Sequence, residues 1–131
     1  MSIIADTDVL IDFLAGRDPA ASRIALEIRS GALRTTTISR FELLAGARTA
    51  RQRATVLELL DAIPALALDT QAADRAAEVR RTLERAGTPI GMGDSLIAGI
   101  VLAAGGTLFT GNTKHFERVD RLRLSGRYDR D

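Results

Sequence analysis

The sequence has no cysteine, and among its 131 residues there is a single histidine, His115. Without cysteine the chain can form neither a disulfide nor a thiolate zinc site, and it has no cysteine nucleophile. One histidine is too few to supply a pair of histidine metal ligands. The lack of thiols also fits a protein of a reducing compartment. These absences exclude disulfide-stabilised, zinc-thiolate and cysteine-dependent classes of protein.

Long hydrophobic runs and targeting features are missing as well. The apolar run over residues 97–104 is far shorter than the roughly 20 residues that a membrane-spanning helix needs. The first residues lack the basic segment, the apolar core and the cleavage site of a signal peptide. We therefore expect a cytoplasmic protein with no membrane partner.

Neither sign of charge predominates, since 18 basic and 17 acidic residues leave a net charge of +1. The overall field therefore favours no particular partner. Lys114 is the one lysine, and arginines cluster within residues 48–53, 80–85 and 118–130. Arginine binds phosphate well, but such clusters are also typical of solvated helix faces. They permit nucleic-acid binding without indicating it.

Length and composition fit a single domain over residues 1–131 with its own core, since 46% of residues are hydrophobic and 27% are charged. Strand-like and helical segments alternate, which favours a parallel sheet with helices on both faces. We predict an α/β fold, a three-layer α/β/α sandwich around a mainly parallel sheet of four or five strands. The predicted strands cover residues 3–5, 33–38, 65–68, 107–110 and 122–124, and the predicted helices cover residues 9–14, 20–29, 39–46, 49–63, 70–85 and 94–104.

Acidic residues stand where several of these elements meet. Asp6 and Asp8 follow the first strand, Glu42 lies in the first turn of the helix after the second strand, and Asp94 begins the helix after a glycine-rich loop. Asp8 and Asp94 are typical helix N-caps. Glu42 matches a capping box with Ser39. Taken singly, these three acids need no other role.

Together, Asp6, Glu42 and Asp94 indicate a binding site. The strand-to-helix junctions of a parallel sheet share one edge, where ligands of open α/β folds bind. Carboxylates crowded there repel one another unless a cation or a bound proton relieves them. Three carboxylates converging on one crevice suit Mg²⁺ or Mn²⁺, which prefer oxygen ligands. We therefore expect these three side chains to hold a divalent metal ion.

Several segments, taken in order, resemble a known family. Residues 3–11, which read Ile-Ile-Ala-Asp-Thr-Asp-Val-Leu-Ile, resemble the opening of the PIN-domain ribonucleases. Residues 39–46 are similar to the second motif of that family, residues 94–99 to the third and residues 108–112 to the fourth. The length of the chain and the ending over residues 112–116 resemble the VapC-type toxins of bacterial and archaeal toxin–antitoxin pairs.

The resemblance implies a metal-dependent endoribonuclease that cleaves structured RNA, such as tRNA or rRNA. In that family pattern Asp6 and Asp94 hold Mg²⁺, or alternatively Mn²⁺, and Glu42 completes the shell or orients the attacking water. Asn112 orients a metal-bound water through its amide oxygen. A bound divalent ion lowers the pKa of water and offsets charge on the phosphate during in-line attack.

The same resemblance implies protein partners. Similar toxins are neutralised by a small VapB-type antitoxin, which can insert an arginine or lysine into the acidic cleft and compete there with metal. The predicted helices over residues 20–29 and 49–63 carry more apolar surface than packing on the sheet requires. We expect part of this surface to contact the antitoxin or a second copy of the chain in a homodimer.

The fourth motif departs from the family pattern. Similar proteins commonly carry an acid at the position of Asn112 or of His115, and neither residue is acidic here. We expect His115 to be a surface or loop residue rather than a ligand. With one negative charge fewer, a single metal ion is expected in the free protein, and a second would arrive with RNA phosphate.

Two other functions compete with this interpretation. Residues 6–9 after a strand also resemble the nucleophile motif of haloacid-dehalogenase-like phosphatases, and residues 93–95 resemble their metal motif. That chemistry needs a lysine before the final acidic motif, whereas Lys114 follows Asp94. The altered fourth motif keeps open a PIN-like scaffold that binds RNA or a partner without cleaving it.

Overall fold

Five short strands form the central sheet. The computed structural model describes residues 2–130. All neighbouring strands are parallel, and the first strand lies in the middle of the sheet. The predicted parallel sheet is confirmed, with five strands. In chain order they are β1 (Ile3–Ala5), β2 (Leu33–Thr36), β3 (Ala65–Leu66), β4 (Thr107–Phe109) and β5 (Arg123–Leu124), and across the sheet the order is β3-β2-β1-β4-β5.

Helices cover both faces of this sheet. Successive strand residues point to opposite faces, so Ile4 packs with residues of the fifth and sixth helices while Ala5 packs with residues of the first four. Leu108 and Phe109 divide between the two cores in the same way. The predicted three-layer α/β/α sandwich is confirmed. The helices are α1 (Thr7–Leu14), α2 (Ala20–Ser30), α3 (Thr37–Gly46), α4 (Ala50–Asp61), α5 (Thr70–Arg85), α6 (Met92–Ala104) and α7 (Thr113–Phe116).

Several predicted boundaries are wrong because other residues cap the helices. β2 ends at Thr36 rather than at residue 38, since the Thr36 hydroxyl accepts a hydrogen bond from the Ser39 N–H (3.0 Å) and caps α3. Thr49 caps α4 instead of belonging to it, and α4 ends at residue 61 rather than 63. α1 begins two residues earlier than predicted, and so does α6, whose N-cap is Gly91. β3 has two residues where four were predicted.

The buried helix α6 packs against α5 at very short range. A Cβ atom on Gly99 would lie 2.5 Å from the Ala72 carbonyl oxygen and 2.6 Å from the Ala76 backbone nitrogen and Cβ. Only glycine permits this contact, because any side chain would overlap the neighbouring backbone. Asp94 lies in the first turn of the same helix. Among residues 2–130, each helix is either too short or too polar to cross a lipid bilayer.

Gly99→Ala is therefore expected to destabilise the protein. The added methyl group would lie 2.5–2.6 Å from backbone atoms and forces α5 and α6 apart. Such severe overpacking is expected to cost towards the upper end of about 1–3 kcal/mol, more than the roughly 1 kcal/mol that alanine gains from helix propensity. Denaturant unfolding measures the difference. Gly46→Ala on α3 is the control, since no atom lies within 4 Å of that Cβ position. Equal stability of the two variants would contradict the contact.

Candidate active site

Asp6 lies where β1 passes into α1, at the carboxyl edge of the sheet. Its backbone N–H donates to the Phe109 carbonyl (2.9 Å), and one carboxylate oxygen accepts from the Thr7 N–H (2.8 Å). The other carboxylate oxygen accepts from the Thr110 hydroxyl (2.7 Å). Only 5% of Asp6 is exposed. Asp6 is thus the N-cap of α1, and the prediction that Asp8 has this role is wrong.

Glu42 is held near Asp6 by the residue between them in space, Thr7. The Thr7 hydroxyl donates to the Glu42 carboxylate (2.6 Å) and lies 2.8 Å from the Ser39 hydroxyl. Because a hydroxyl carries one proton, Ser39 is the donor in the second contact. The predicted capping box of Ser39 and Glu42 is wrong, since Thr36 caps α3 and Glu42 binds Thr7 instead. The hydrogen bond from Thr7 therefore holds Glu42 at the edge of the sheet where Asp6 lies.

Asp94 reaches the same edge from the first turn of α6. Its predicted role as N-cap is wrong, because Gly91 occupies that position. Gly93 allows Glu42 to approach, since a Cβ atom there would lie 3.2 Å from a Glu42 carboxylate oxygen. Burial raises the pKa of Asp94 most, and the charges of Glu42 and Asp8 raise it further. Acids from α1, α3 and α6 therefore interact electrostatically.

Asp8 is a fourth acid at this edge, and the ribonuclease interpretation of the sequence did not include it. One of its carboxylate oxygens accepts a hydrogen bond from the Gly111 N–H (3.0 Å). Burial raises the pKa of Asp8, while the Gly111 hydrogen bond and the Arg130 guanidinium oppose that rise. The sequence signal that pointed to Asp8 was its closeness to Asp6, because two crowded carboxylates call for a cation or a shared proton.

Asn112 and His115 belong to the fourth motif and lie beside the acidic residues. The Asn112 N–H donates to the Thr110 hydroxyl (3.1 Å), the group that also binds Asp6. The Asn112 side-chain nitrogen lies 2.8 Å from His115 Nδ1. His115 is exposed on α7, and its charge counteracts the rise in the pKa of Asp94. The fourth motif is therefore linked to both Asp6 and Asp94.

The buried Asp6 carboxyl keeps its proton to an unusually high pH when no cation is present. Burial is the main cause that raises the pKa of Asp6 from 3.8 to about 7, and the charges of Asp8 and Asp94 contribute to the rise. The hydrogen bonds from Thr110 and Thr7 act in the opposite direction. A cation at this edge would stabilise the ionised carboxylates in place of the proton.

A hydrated divalent cation fits this set of side chains. Carboxylate and amide oxygens are the donors that Mg²⁺ and Mn²⁺ prefer. Within residues 2–130, no three acidic or histidine side chains lie close enough to hold one ion directly. Mg²⁺ usually keeps several waters and binds only one or two carboxylates. Among the acids at this edge, Asp6 and Asp94 are the candidates to supply these.

Comparison with known proteins gives matches over nearly the whole chain. The family model of the PIN domain matches residues 3–122. The tRNA(fMet)-specific endonuclease VapC of Shigella flexneri is 31% identical over 127 residues, which cover 94% of this chain and 96% of that protein. Ribonuclease VapC10 of Mycobacterium tuberculosis is 33% identical over 121 residues, covering 92% of this chain and 90% of that protein.

The fold also matches a solved toxin–antitoxin complex. The structure of DNA-bound VapBC from Salmonella typhimurium has a TM-score of 0.84 and 28% sequence identity, covering 95% of this chain and 97% of that chain. The family model, the sequence relatives and the fold agree with one another. This chain belongs to the PIN-domain family, and its similarity is to the VapC proteins within it.

Proposed function

We propose that this protein is a divalent-metal-dependent endoribonuclease, the toxin of a VapBC-type toxin–antitoxin pair, and that it cleaves structured RNA such as tRNA or rRNA. The gathering of Asp6, Glu42 and Asp94 at one sheet edge of a PIN-domain fold carries the proposal. Relatives named as a tRNA(fMet)-specific endonuclease and as a ribonuclease support it. Since tRNA and rRNA act in translation, the proposed place of action is the cytoplasm.

The side chains have separate roles in the proposed reaction. Asp6 and Asp94 would hold Mg²⁺, and Mn²⁺ is the alternative because it accepts the same oxygen donors. When bound, such an ion lowers the pKa of water and offsets the charge that develops on the phosphate. Glu42, which the Thr7 hydroxyl holds in place, orients the attacking water. Asn112 supports that water through its amide oxygen.

An apolar groove next to the acids is the proposed site of the antitoxin. The groove has a volume of about 660 Å³, and α1, α3 and α4 line it. Ile11 and Leu14 lie in its wall with 42% and 37% of their surfaces exposed, and Glu42 is a lining residue as well. An apolar antitoxin segment in this groove brings a basic residue within reach of Glu42, where it competes with metal. α4 overlaps the predicted helix over residues 49–63, which is expected to carry such a surface.

Of the two alternative functions, one is without support and the other is a second candidate. Membership of the PIN-domain family leaves no support for a haloacid-dehalogenase-like phosphatase. A scaffold that binds RNA without cleaving it is the second candidate, because residues 112 and 115 are asparagine and histidine rather than acids. The two candidates differ in whether the purified protein hydrolyses RNA when a divalent metal is added.

Asp6→Asn and Asp94→Asn are each expected to slow RNA cleavage by about a hundredfold or more, because loss of a metal ligand removes several kcal/mol of transition-state stabilisation. Gel analysis of total tRNA incubated with purified protein and MgCl₂ measures the rate, and circular dichroism checks the fold. Asp61→Asn is the control, since Asp61 ends α4 shortly before β3 begins and so lies towards the opposite edge. Retained cleavage in both site variants would indicate a contaminating nuclease or another site. If the unmodified chain does not cleave RNA when metal is added, the scaffold is favoured.

Mg²⁺ is expected to raise the melting temperature more at pH 8 than at pH 5. The pKa of Asp6 is about 7 in the folded chain against 3.8 ordinarily, so the folded state keeps a proton that the unfolded chain has released. Stability from this proton is therefore present at low pH and is lost as the pH rises through 7. A bound cation replaces the proton. Melting curves in EDTA and in MgCl₂ measure the shift, which should shrink in Asp6→Asn; a shift independent of pH would contradict the assignment.

Ile11→Glu is expected to weaken binding of the antitoxin by about 2 kcal/mol or more, because it places a charge in an apolar contact. The partner to use is the small protein encoded by the neighbouring reading frame, and calorimetry with the purified pair measures the affinity. Leu68→Glu is the matched control, since Leu68 is 36% exposed, lies outside the set of groove-lining residues and belongs to neither of the helices expected to carry the partner surface. Equal affinity of the two variants would place the antitoxin elsewhere.

A further inference from the structure

The fourth motif contains no acid, yet a carboxylate from another motif lies against it. Positions 112 and 115 are asparagine and histidine. Asp8, in the first turn of α1, reaches this motif and accepts a hydrogen bond from the Gly111 N–H (3.0 Å). Asp8 is therefore placed on the side of the centre that the fourth motif forms.

Gly111 makes this close approach possible. A Cβ atom at Gly111 would lie 3.2 Å from the second carboxylate oxygen of Asp8 and 2.5 Å from two side-chain carbons of Arg130. Any larger residue would push one of these side chains away. The glycine therefore lets Asp8 bind the backbone directly, and the position of its carboxylate is set by that contact.

The charge of Asp8 lacks the direct neutralisation that the other acid on the same face receives. Arg130 lowers the pKa of Asp8, but the Arg130 guanidinium forms its ion pair with Asp12 (2.8 Å). Buried Asp12 also accepts hydrogen bonds from the Tyr128 hydroxyl (2.9 Å) and from Arg17 (3.3 Å). In the part of the chain that the structure describes, Asp8 has no ion pair of its own. Asp12 is thus a fully partnered structural acid, and Asp8 is not.

The charge of Asp8 acts on both proposed metal ligands. Asp8 follows Asp6 by two residues, and the two carboxylates bind consecutive residues, Asp6 the Thr110 hydroxyl (2.7 Å) and Asp8 the Gly111 N–H (3.0 Å). In agreement with this placement, and in addition to burial, the charge of Asp8 raises the pKa values of Asp6 and Asp94. An anion placed beside the Asp6 carboxylate attracts a cation that Asp6 binds. The same proximity that is unfavourable without metal becomes favourable with it.

We infer that Asp8 is a further carboxylate of the metal centre and takes the place of an acid in the fourth motif. The inference rests on the proposed function, because it requires Asp6 and Asp94 to hold a divalent cation. The negative charge of Asp8 strengthens the binding of that cation with its coordinated waters. Gly111 orients the Asp8 carboxylate, and Arg130 stays paired with Asp12.

Binding of Mn²⁺ to the full chain without RNA, followed by electron paramagnetic resonance of the free ion, tests the inference. Asp8→Asn is expected to raise the dissociation constant about tenfold, the lower end of the effect of removing groups around metal ligands. Asparagine can still accept the hydrogen bond from Gly111, so the loss reports the missing charge. Asp61→Asn removes the same charge from the end of α4 and should leave Mn²⁺ binding unchanged.

Moving the acid between motifs makes the test specific. In the double variant Asp8→Asn, Asn112→Asp, the carboxylate moves from α1 to the fourth motif, and Mn²⁺ affinity is expected to return towards that of the unmodified chain. A purely structural role of Asp8 predicts no such recovery. Unchanged affinity in Asp8→Asn, or a double variant that binds no more tightly than Asp8→Asn, would overturn the inference.

Asp94→Asn separates this inference from the proposed function. If the unmodified chain binds Mn²⁺, Asp94→Asn abolishes binding and Asp8→Asn has no effect, the inference fails and the proposed function stands. If the unmodified chain binds no Mn²⁺, both fail. Should Asp8→Asn not fold, Asp8→Ser takes its place, since serine also removes the charge and unchanged Mn²⁺ affinity in that variant would overturn the inference.

Discussion

The hydrogen bonds that hold the Asp6 carboxylate at the end of β1 determine how the rest of the site is arranged. Its two donors are the Thr7 N–H and the Thr110 hydroxyl, which meet because α1 starts directly after β1 and because β1 pairs with β4. Each donor residue has a second contact. The Thr7 hydroxyl binds Glu42, and the Thr110 hydroxyl accepts from the Asn112 N–H. The first, second and fourth motifs are therefore coupled through one buried acid.

Without a bound metal ion, the crowded carboxylates of the site lower the stability of the fold. Burial and mutual repulsion raise the pKa values of Asp6, Asp8 and Asp94, so their ionisation is unfavourable in the folded chain. Unfavourable electrostatics of this kind are common at functional sites, where the surrounding structure compensates for them. Here the compensation comes from two hydrophobic cores, one on each face of the sheet. A cation bound at the edge would remove the repulsion and couple metal binding to stability.

Two acids of the same helix show how much depends on tertiary contacts. Asp8 and Asp12 are one turn apart on α1, and each binds residues beyond position 110. Asp12 is buried among Arg17, Arg130 and Tyr128, which satisfy its charge. Asp8 has a backbone donor from Gly111 and keeps a charge that acts on the other acids. Sequence spacing does not distinguish these roles, because the partners come from segments far along the chain.

By itself the sequence determined the layered fold and the edge at which the acids lie. Alternating short apolar runs and helical segments require a parallel sheet, and strand-to-helix junctions of such a sheet share one edge. The starts of α2 and α5 agree with the prediction, whereas those of α1, α3, α4 and α6 differ by one or two residues. At these starts, polar residues a few positions apart compete to be the cap, as Thr36 does with Ser39. Only the tertiary structure decided that Glu42 binds Thr7 and that Asp8 binds Gly111, because these partners lie in other elements of the fold.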